Sequence, residues 1–365
     1  MINGKTIAVV VPAYNEERQI ELVIDSIPEF VDRIIIVNDG SNDKTSELVR
    51  KKINDDKNNY LNVMIGKKVI IKNRYNAVDI ELQRILIEEK KLFPESDIYN
   101  KSPEKSRIIL IEHLKNSGVG ASVANGYKWC RDNEIYCVAK VDGDGQMDPS
   151  ELLNICLPVI DENIDYVKGN RLIYPGANLV IPKVRYFGNS VLSILTKVAS
   201  GYWHISDTQT AFTAISLKGL KQLKLHKLYK SYGYPNDILV KLNINFCTIK
   251  EVPIKPVYEI GEESKMKIFK VIPKISLILI LGFFRRLFQK YLLKSFHPLF
   301  ILYYLGFLLI ATSIPFGLKI LNLVILGINA NPVTVLAFIF LFISGFQSLL
   351  FAMWMDIQDN ERLNK

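Results

Sequence analysis

Short apolar runs alternate with amphipathic stretches through roughly the first 260 residues. Ile7 to Val11, Arg33 to Val37, Ile108 to Ile111 and Tyr136 to Val141 read as buried strands. Glu16 to Ser26, Lys44 to Lys51 and Gly120 to Cys130 read as the helices between them. This alternation predicts an α/β fold, a mostly parallel sheet flanked by helices, over residues 1–262. The pattern then changes. Leu299 to Leu318 holds 20 residues without a charge, and Val333 to Met355 holds 23 more. Each is long enough to cross a bilayer as a helix. Pro315 and Lys319 are expected to kink or end the first span, and Asn329 to Pro332 to turn the chain, so that residues 296–356 form a two-helix transmembrane hairpin ahead of a cytoplasmic tail at 357–365.

Charge assigns the sides. Of the net +9, most comes from Lys265, Lys267, Lys270, Lys274, Arg285, Arg286, Lys290 and Lys294, with no acidic residue between Ser264 and Ser295. A basic flank before a first span keeps that end, and the large amino-terminal part, cytoplasmic. The same segment, 263–295, is rich in Ile, Leu and Phe, and reads as amphipathic interfacial helices with the basic side at anionic lipid headgroups. That much apolar surface argues against nucleic acid as the partner of the basic tract. Ile7 to Val11 is too short for a secretory signal. Cys130, Cys137, Cys156 and Cys247 lack paired spacing and read as buried reduced thiols.

Polar chemistry collects at the carboxyl ends of the strands: Pro12-Ala13-Tyr14-Asn15-Glu16, Asn38-Asp39-Gly40-Ser41, and Asp142-Gly143-Asp144-Gly145-Gln146. In open α/β sheets that edge receives nucleotides. Each turn taken alone suits Asn, Asp, Gly and Ser for purely conformational reasons. Two carboxylates and an amide crowded into one turn are nevertheless the oxygen ligands that a hard divalent cation needs beside a diphosphate. Gly118-Val119-Gly120 lacks the third glycine of a dinucleotide-binding loop, which argues against a dehydrogenase.

Taken together, residues 9–17 (VVVPAYNEE), 37–41 (VNDGS), 116–121 (NSGVGA) and 141–149 (VDGDGQMDP) resemble the inverting family 2 glycosyltransferases with the GT-A, Rossmann-like fold. Within them the chain is similar to the membrane-attached polyprenyl-phosphate or dolichyl-phosphate sugar transferases. Lys168-Gly169-Asn170-Arg171, Arg185 with Asn189, Ser206 to Phe212, Glu251 to Ile254 and Ser264-Lys265 carry the likeness on to about residue 270. The resemblance implies that Pro12, Tyr14, Glu16 and Asp39 line the base and ribose pocket of a UDP- or GDP-sugar, with Asp142 beside its diphosphate. It implies Mg²⁺ or Mn²⁺ on Asp142, Asp144 and Gln146. Arg171, Arg185, Asn189 and Lys265 would gather phosphate groups, and Asp207 would face sugar or acceptor. Two departures stand out: residues between Lys52 and Arg107 exceed the family pattern by about 30 to 40, with helical apolar spacing over Ala77 to Phe93, and Glu259 stands where relatives often carry arginine.

A polyprenyl phosphate acceptor is already anionic at neutral pH and needs no strong general base. A hydroxyl acceptor does need one, and Asp237, in the Asn236-Asp237 pair, is the candidate; it could equally cap a helix. No Gln-x-x-Arg-Trp element of the processive synthases is present. A chain that kept the fold but lost the chemistry would be a membrane-anchored nucleotide-binding scaffold. Small residues Gly306, Ala311, Ser313, Gly345 and Ser348 offer surfaces for a homo-oligomer through the spans.

Overall fold

The structure, a computed structural model, describes residues 1–56, 73–177, 183–257 and 268–365, the side chains of 183–191 and 268–271 excepted. Eight strands form one mixed sheet: β1 (Ile7–Ala13), β2 (Arg33–Asn38), β3 (Ser96–Ile98), β4 (Ile108–His113), β5 (Cys137–Lys140), β6 (Tyr166–Asn170), β7 (Thr213–Ser216) and β8 (Ile249–Pro253). Their order is β3-β4-β2-β1-β5-β7-β6-β8. The central strands β4, β2, β1 and β5 run parallel, and β6 is parallel to β8. β3 and β7 are the antiparallel members.

Helices cover both faces, which is why β1 is apolar at every position rather than alternating. Ala8, Val10, Ile35 and Val37 face a core with α4 (Val119–Asp132), α7 (Leu217–Gln222) and α8 (Tyr234–Ile244), whereas Ile7, Val9, Val11, Ile34 and Ile36 face α1 (Ile20–Ser26) and α5 (Leu152–Asp161). All four cysteines are buried and unbridged. The sequence places the start of α1 at Glu16, but the helix begins four residues later. The N–H groups of Asn15 and Glu16 are committed to Ser41 Oγ (2.9 Å) and Thr45 Oγ1 (2.9 Å), which ties the end of β1 to α2 (Thr45–Asp55).

Part of the long insertion between Lys52 and Arg107 is described. It carries α3 (Ala77–Glu89), whose Val78, Leu82, Ile85 and Leu86 stand exposed, and the chain then enters the edge strand β3. Its inner end is fastened by Glu89, which accepts from Arg131 (2.8 Å) and His226 Nδ1 (2.7 Å).

Beyond the sheet, α6 (Lys183–Ser200) and α8 support α9 (Ile268–Arg286), which runs into a π-helical stretch, Leu287–Lys294. Ile275, Leu279, Phe283, Leu287 and Tyr291 form a third core with Leu192, Val240 and Ile244, while Leu277, Ile280, Leu281, Phe284 and Phe288 point outward. One expectation needs correcting here. Lys274, Arg285 and Lys294 are exposed, but Arg286 and Lys290 are fully buried rather than available to headgroups. The cause is α11 (Pro332–Glu361), whose last turns supply Asp356, Asp359 and Asn360 as partners.

Both α10 (Leu299–Ile325) and α11 are long and apolar enough to cross a membrane, and most of their large apolar side chains are exposed, unlike those of core helices. The first span does not end at Pro315 or Lys319. The helix continues to Ile325, as spanning helices tolerate an internal proline. Gly306 and Gly345 let the pair approach: a Cβ on Gly306 would sit 2.7 Å from Leu349 Cδ2, and one on Gly345 2.8 Å from Ile310 Cγ1. Those two glycines are spent inside the hairpin. Residues past Asn360 return to the sheet, where Leu363 O accepts from Ile249 N–H (2.8 Å) and Lys365 N–H donates to Ile249 O (3.0 Å).

Candidate active site

Three turns meet at the carboxyl edge of β1, β2 and β5. Pro12 is buried, and Tyr14 and Glu16 are half-buried. Asn15 sits in the left-handed region (φ +55°), which lets its amide oxygen accept Asn42 N–H at 2.9 Å. Asn38 takes Ser41 Oγ–H at 2.6 Å. Asp39 is buried, and its carboxylate accepts from His113 Nδ1 (2.7 Å), Ser117 N–H (2.8 Å) and Gly118 N–H (2.8 Å). Gly40 is required on two counts: its φ is +69°, and a Cβ would lie 3.0 Å from Asn116 N. The turns at 12–16, 38–41 and 116–118 are thus one laced unit.

The acidic turn packs against the first of them, Gly143 N–H donating to Pro12 O at 3.3 Å. Asp144 Oδ1 accepts Gln146 N–H at 3.0 Å, while the buried Lys140 ammonium pairs with Asp142 from below. Tyr234 lies over that lysine, 6.0 Å from ring centre to Nζ. Burial, and then the neighbouring Asp142 charge, push the Asp144 carboxyl up to about 6. Asp144 therefore carries negative charge that the protein does not fully compensate, and a cation would relieve it. Among the described residues no three His, Cys, Asp or Glu side chains gather as a closed cation site. Two carboxylates and the Gln146 amide are an open set of hard oxygen donors, which fits Mg²⁺ or Mn²⁺ completed by phosphate oxygens and water.

A second charged group stands at the ends of β6 and β8. The Arg171 guanidinium grips Asp207 through Nε (2.8 Å) and Nη2 (3.1 Å), and Arg171 N–H donates to the same carboxylate (3.1 Å). Glu251 holds the Asp207 loop in turn, accepting the N–H groups of Ser206 (3.0 Å) and Asp207 (3.1 Å) and the Asn170 amide (2.6 Å). Lys168, fully buried beneath, donates to Thr210 O, and burial lowers its ammonium to about 8. Arg171 and Asp207, both picked out from the sequence, are therefore partners of one another.

Asp237 lies in the first turn of α8, behind Gly233 at the cap position, so it is not the N-cap. Its carboxylate accepts Tyr229 N–H (2.9 Å) and pairs with Lys241 one helical turn on. Asn236 faces the other way, toward Thr196 Oγ1 at 3.1 Å, and is buried. Arg185 and Asn189 fall on α6 where side chains are not described, and Lys265 and Glu259 lie outside the described residues.

Sequence reasoning missed Lys140, Lys168 and His113 as parts of this site, and did not single out Glu251 for a role. A signal existed for the lysines: each closes or interrupts an apolar strand, and a cation there demands a partner.

Comparison with known proteins gives the family. The pattern of the family described as Glycosyl transferase family 2 matches residues 8–74 and 96–224, more than half of the chain. A UDP-N-acetylglucosamine–dolichyl-phosphate N-acetylglucosaminyltransferase of Methanococcus voltae is 28% identical over 255 residues, 70% of this chain and 86% of that one. A dolichyl-phosphate β-glucosyltransferase of Trichomonas vaginalis is 27% identical over 293 residues, 76% of this chain and 71% of that one. Among solved structures, glucosyl-3-phosphoglycerate synthase of Mycobacterium tuberculosis with UDP aligns over 78% of this chain and 80% of its own, at 18% identity and a TM-score of 0.46. On the family match, with the strand-end turns of the motifs gathered at one sheet edge, the chain belongs to glycosyltransferase family 2.

Proposed function

We propose that this glycosyltransferase moves a sugar from a nucleotide sugar, UDP-linked in the first instance, to a polyprenyl or dolichyl phosphate at the cytoplasmic face of a membrane. The named activities of the two relatives support the acceptor class. The observation that carries the choice between phosphate and hydroxyl acceptors is the state of Asp237. A general base needs a carboxylate free to take a proton at the acceptor. Asp237 is occupied by Lys241 and Tyr229 N–H, and its neighbour Asn236 is an amide. A phosphate monoester, with a second pKa of about 6, brings its own anionic nucleophile.

In this reading residues 1–262 are the catalytic domain, 263–295 the interfacial segment, 296–356 the membrane hairpin and 357–365 its cytoplasmic end. Pro12, Tyr14, Glu16 and Asp39 form the nucleoside side of the cleft. Asp142, Asp144 and Gln146 would hold Mg²⁺ or Mn²⁺, which supplies Lewis-acid relief of charge on the departing diphosphate. Arg171, oriented by Asp207, presents a guanidinium at the phosphate end, with Arg185, Asn189 and Lys265 assigned to the same task. The acceptor oxygen attacks the anomeric carbon opposite the nucleotide, the glycosidic bond to the diphosphate breaks, and the anomeric configuration inverts. Stabilising two phosphate groups is then the main catalytic contribution.

Membranes holding the protein, offered labelled UDP-N-acetylglucosamine, UDP-glucose or GDP-mannose together with polyprenyl phosphate or the free polyprenol, decide the matter. Label should enter an organic-extractable, mild-acid-labile product only with the phosphate. Asp237→Asn, which keeps an oxygen for Tyr229 N–H, should retain transfer to within about threefold, whereas a base would cost 10²-fold or more when lost. Transfer to the alcohol, or an inactive but folded Asp237→Asn enzyme, sinks the phosphate reading.

A further inference from the structure

We propose that His113 is a positioning residue for the donor nucleotide and that the edge strand β3 serves to hold it. The inference rests on the reading of Asp39 as part of the nucleoside pocket. Four side chains make a continuous line, buried at Asp39, His113 and Asn125 and half-buried at Ser96: Asp39 Oδ1 to His113 Nδ1 at 2.7 Å, His113 Nε2 to Asn125 Nδ2 at 3.1 Å, and Asn125 Nδ2 to Ser96 Oγ at 3.0 Å. The His113 side chain is 0% exposed and that of Asp39 4%.

The chemistry of the ends fixes the middle. A carboxylate only accepts, so Nδ1 carries the imidazole proton and donates it to Asp39. Nε2 is then an acceptor and meets the Asn125 amide N–H, while that same amide nitrogen turns its second hydrogen to Ser96. Every link pairs a donor with an acceptor in the neutral tautomer. Ser96 stands directly opposite His113 in the antiparallel β3/β4 pair. Without β3, strand β4 would be the sheet edge and Asn125 would lose the Ser96 hydroxyl as an acceptor.

What the line achieves lies at its other end. Asp39 also takes the N–H groups of Ser117 and Gly118, where the chain enters α4, so one carboxylate sets both its own direction and the path of that loop. Oδ1 receives both the imidazole and Ser117 N–H, and Oδ2 receives Gly118 N–H, so the imidazole shares an oxygen with the loop backbone. Removing the imidazole takes away one of the three donors that fix the carboxylate and loosens its hold on the loop. His113 touches no reacting atom in this arrangement; it acts through Asp39.

Titration calorimetry of the full chain in detergent with UDP and Mn²⁺, alongside steady-state kinetics, tests this. His113→Ala should weaken UDP binding tenfold or more and raise the donor KM in parallel, with kcat within about threefold of wild type. His113→Asn, whose amide nitrogen falls where Nδ1 stands, should recover binding to within about threefold; His113→Gln, which reaches toward Nε2 instead, should not. On an Asp39→Asn background His113→Ala should add less than twofold, because the effect runs through the carboxylate. A folded His113→Ala protein with wild-type affinity overturns the inference, as do indistinguishable Asn and Gln variants or losses that multiply with Asp39→Asn. If His113→Ala does not fold, the Asn and Gln pair decides alone. Wild-type protein that binds neither UDP nor GDP overturns the donor reading itself and this inference with it.

Discussion

Asp144→Asn should slow sugar transfer by at least about a thousandfold, ~4 kcal/mol of transition-state stabilisation, while leaving the protein folded. The apo protein should even gain stability. The Asp144 carboxyl titrates near 6 in the fold because burial and Asp142 disfavour its charge. An unfolded aspartate titrates near 3.9. The folded state therefore holds the proton more tightly, so stability falls as pH rises from about 4 to 6, and the full penalty, on the order of 3 kcal/mol, is present at pH 7.5. Asparagine carries no such penalty. A bound cation reverses it in the wild type, and ligation requires the proton to leave. Three melting curves check the account. Mn²⁺ should raise the wild-type melting temperature at pH 7.5, raise it less at pH 5, and leave Asp144→Asn unmoved. A variant that still transfers sugar, or that gains as much from Mn²⁺ as the wild type, contradicts the assignment. A folded, inactive variant also argues against a non-catalytic scaffold, provided that the wild-type protein transfers sugar in the same assay.

The chain announces this centre unusually well, and the reasons are local. Strand-end turns must be built from Asn, Asp, Gly and Ser, and a strand buried on both faces must be apolar throughout, so β1, β2 and β5 and the turns after them can be read from spacing alone. The start of α1 was misplaced because two backbone N–H groups are claimed by Ser41 and Thr45, about 26 to 29 residues away. Partnerships at longer range leave no periodic trace. Nothing in the spacing joins His113 to Asp39 across 74 residues, or Glu251 to Ser206 across 45. Asp237 has partners of both kinds. Lys241, one helical turn on, can be read from spacing, whereas Tyr229 N–H reaches the carboxylate only through the fold.

Arg286 and Asp356 are the plainest case of such a partnership, and breaking it should have the largest effect on stability. Basic residues beside an apolar stretch look like headgroup contacts. In the fold, Arg286 and Asp356 are both 0% exposed and meet in a two-pronged pair with both contacts at 2.7 Å. Every guanidinium hydrogen has a destination: Nε donates to Ala199 O (2.9 Å), Nη2 also to Val198 O (3.0 Å), and Nη1 also to Tyr291 Oη (3.3 Å). Those carbonyls end α6, where a cation is favoured by the helix dipole. Gly201 makes room, since a Cβ there would fall 2.5 Å from Nη1. One arginine thus ties the last turns of the membrane hairpin to the helix that carries Arg185 and Asn189.

Removing one member of a fully buried pair strands the other charge, at a cost of about 3–5 kcal/mol, whereas replacing both by apolar residues is often neutral. Asp356→Ala should accordingly lower the melting temperature in detergent steeply and open the 286–299 junction to protease, and Arg286→Ala should do the same. Arg286→Met combined with Asp356→Leu should recover most of the loss. If the pair only stabilises, the double variant will transfer sugar at the wild-type rate. If it also fixes the height of the cleft above the lipid surface, the double variant will bind UDP normally yet use a membrane-embedded acceptor less well than a short, soluble one. A single variant as stable as wild type would mean that the charge is solvated in the membrane-bound protein, and the hairpin would then be a tether rather than a rigid extension of the catalytic domain.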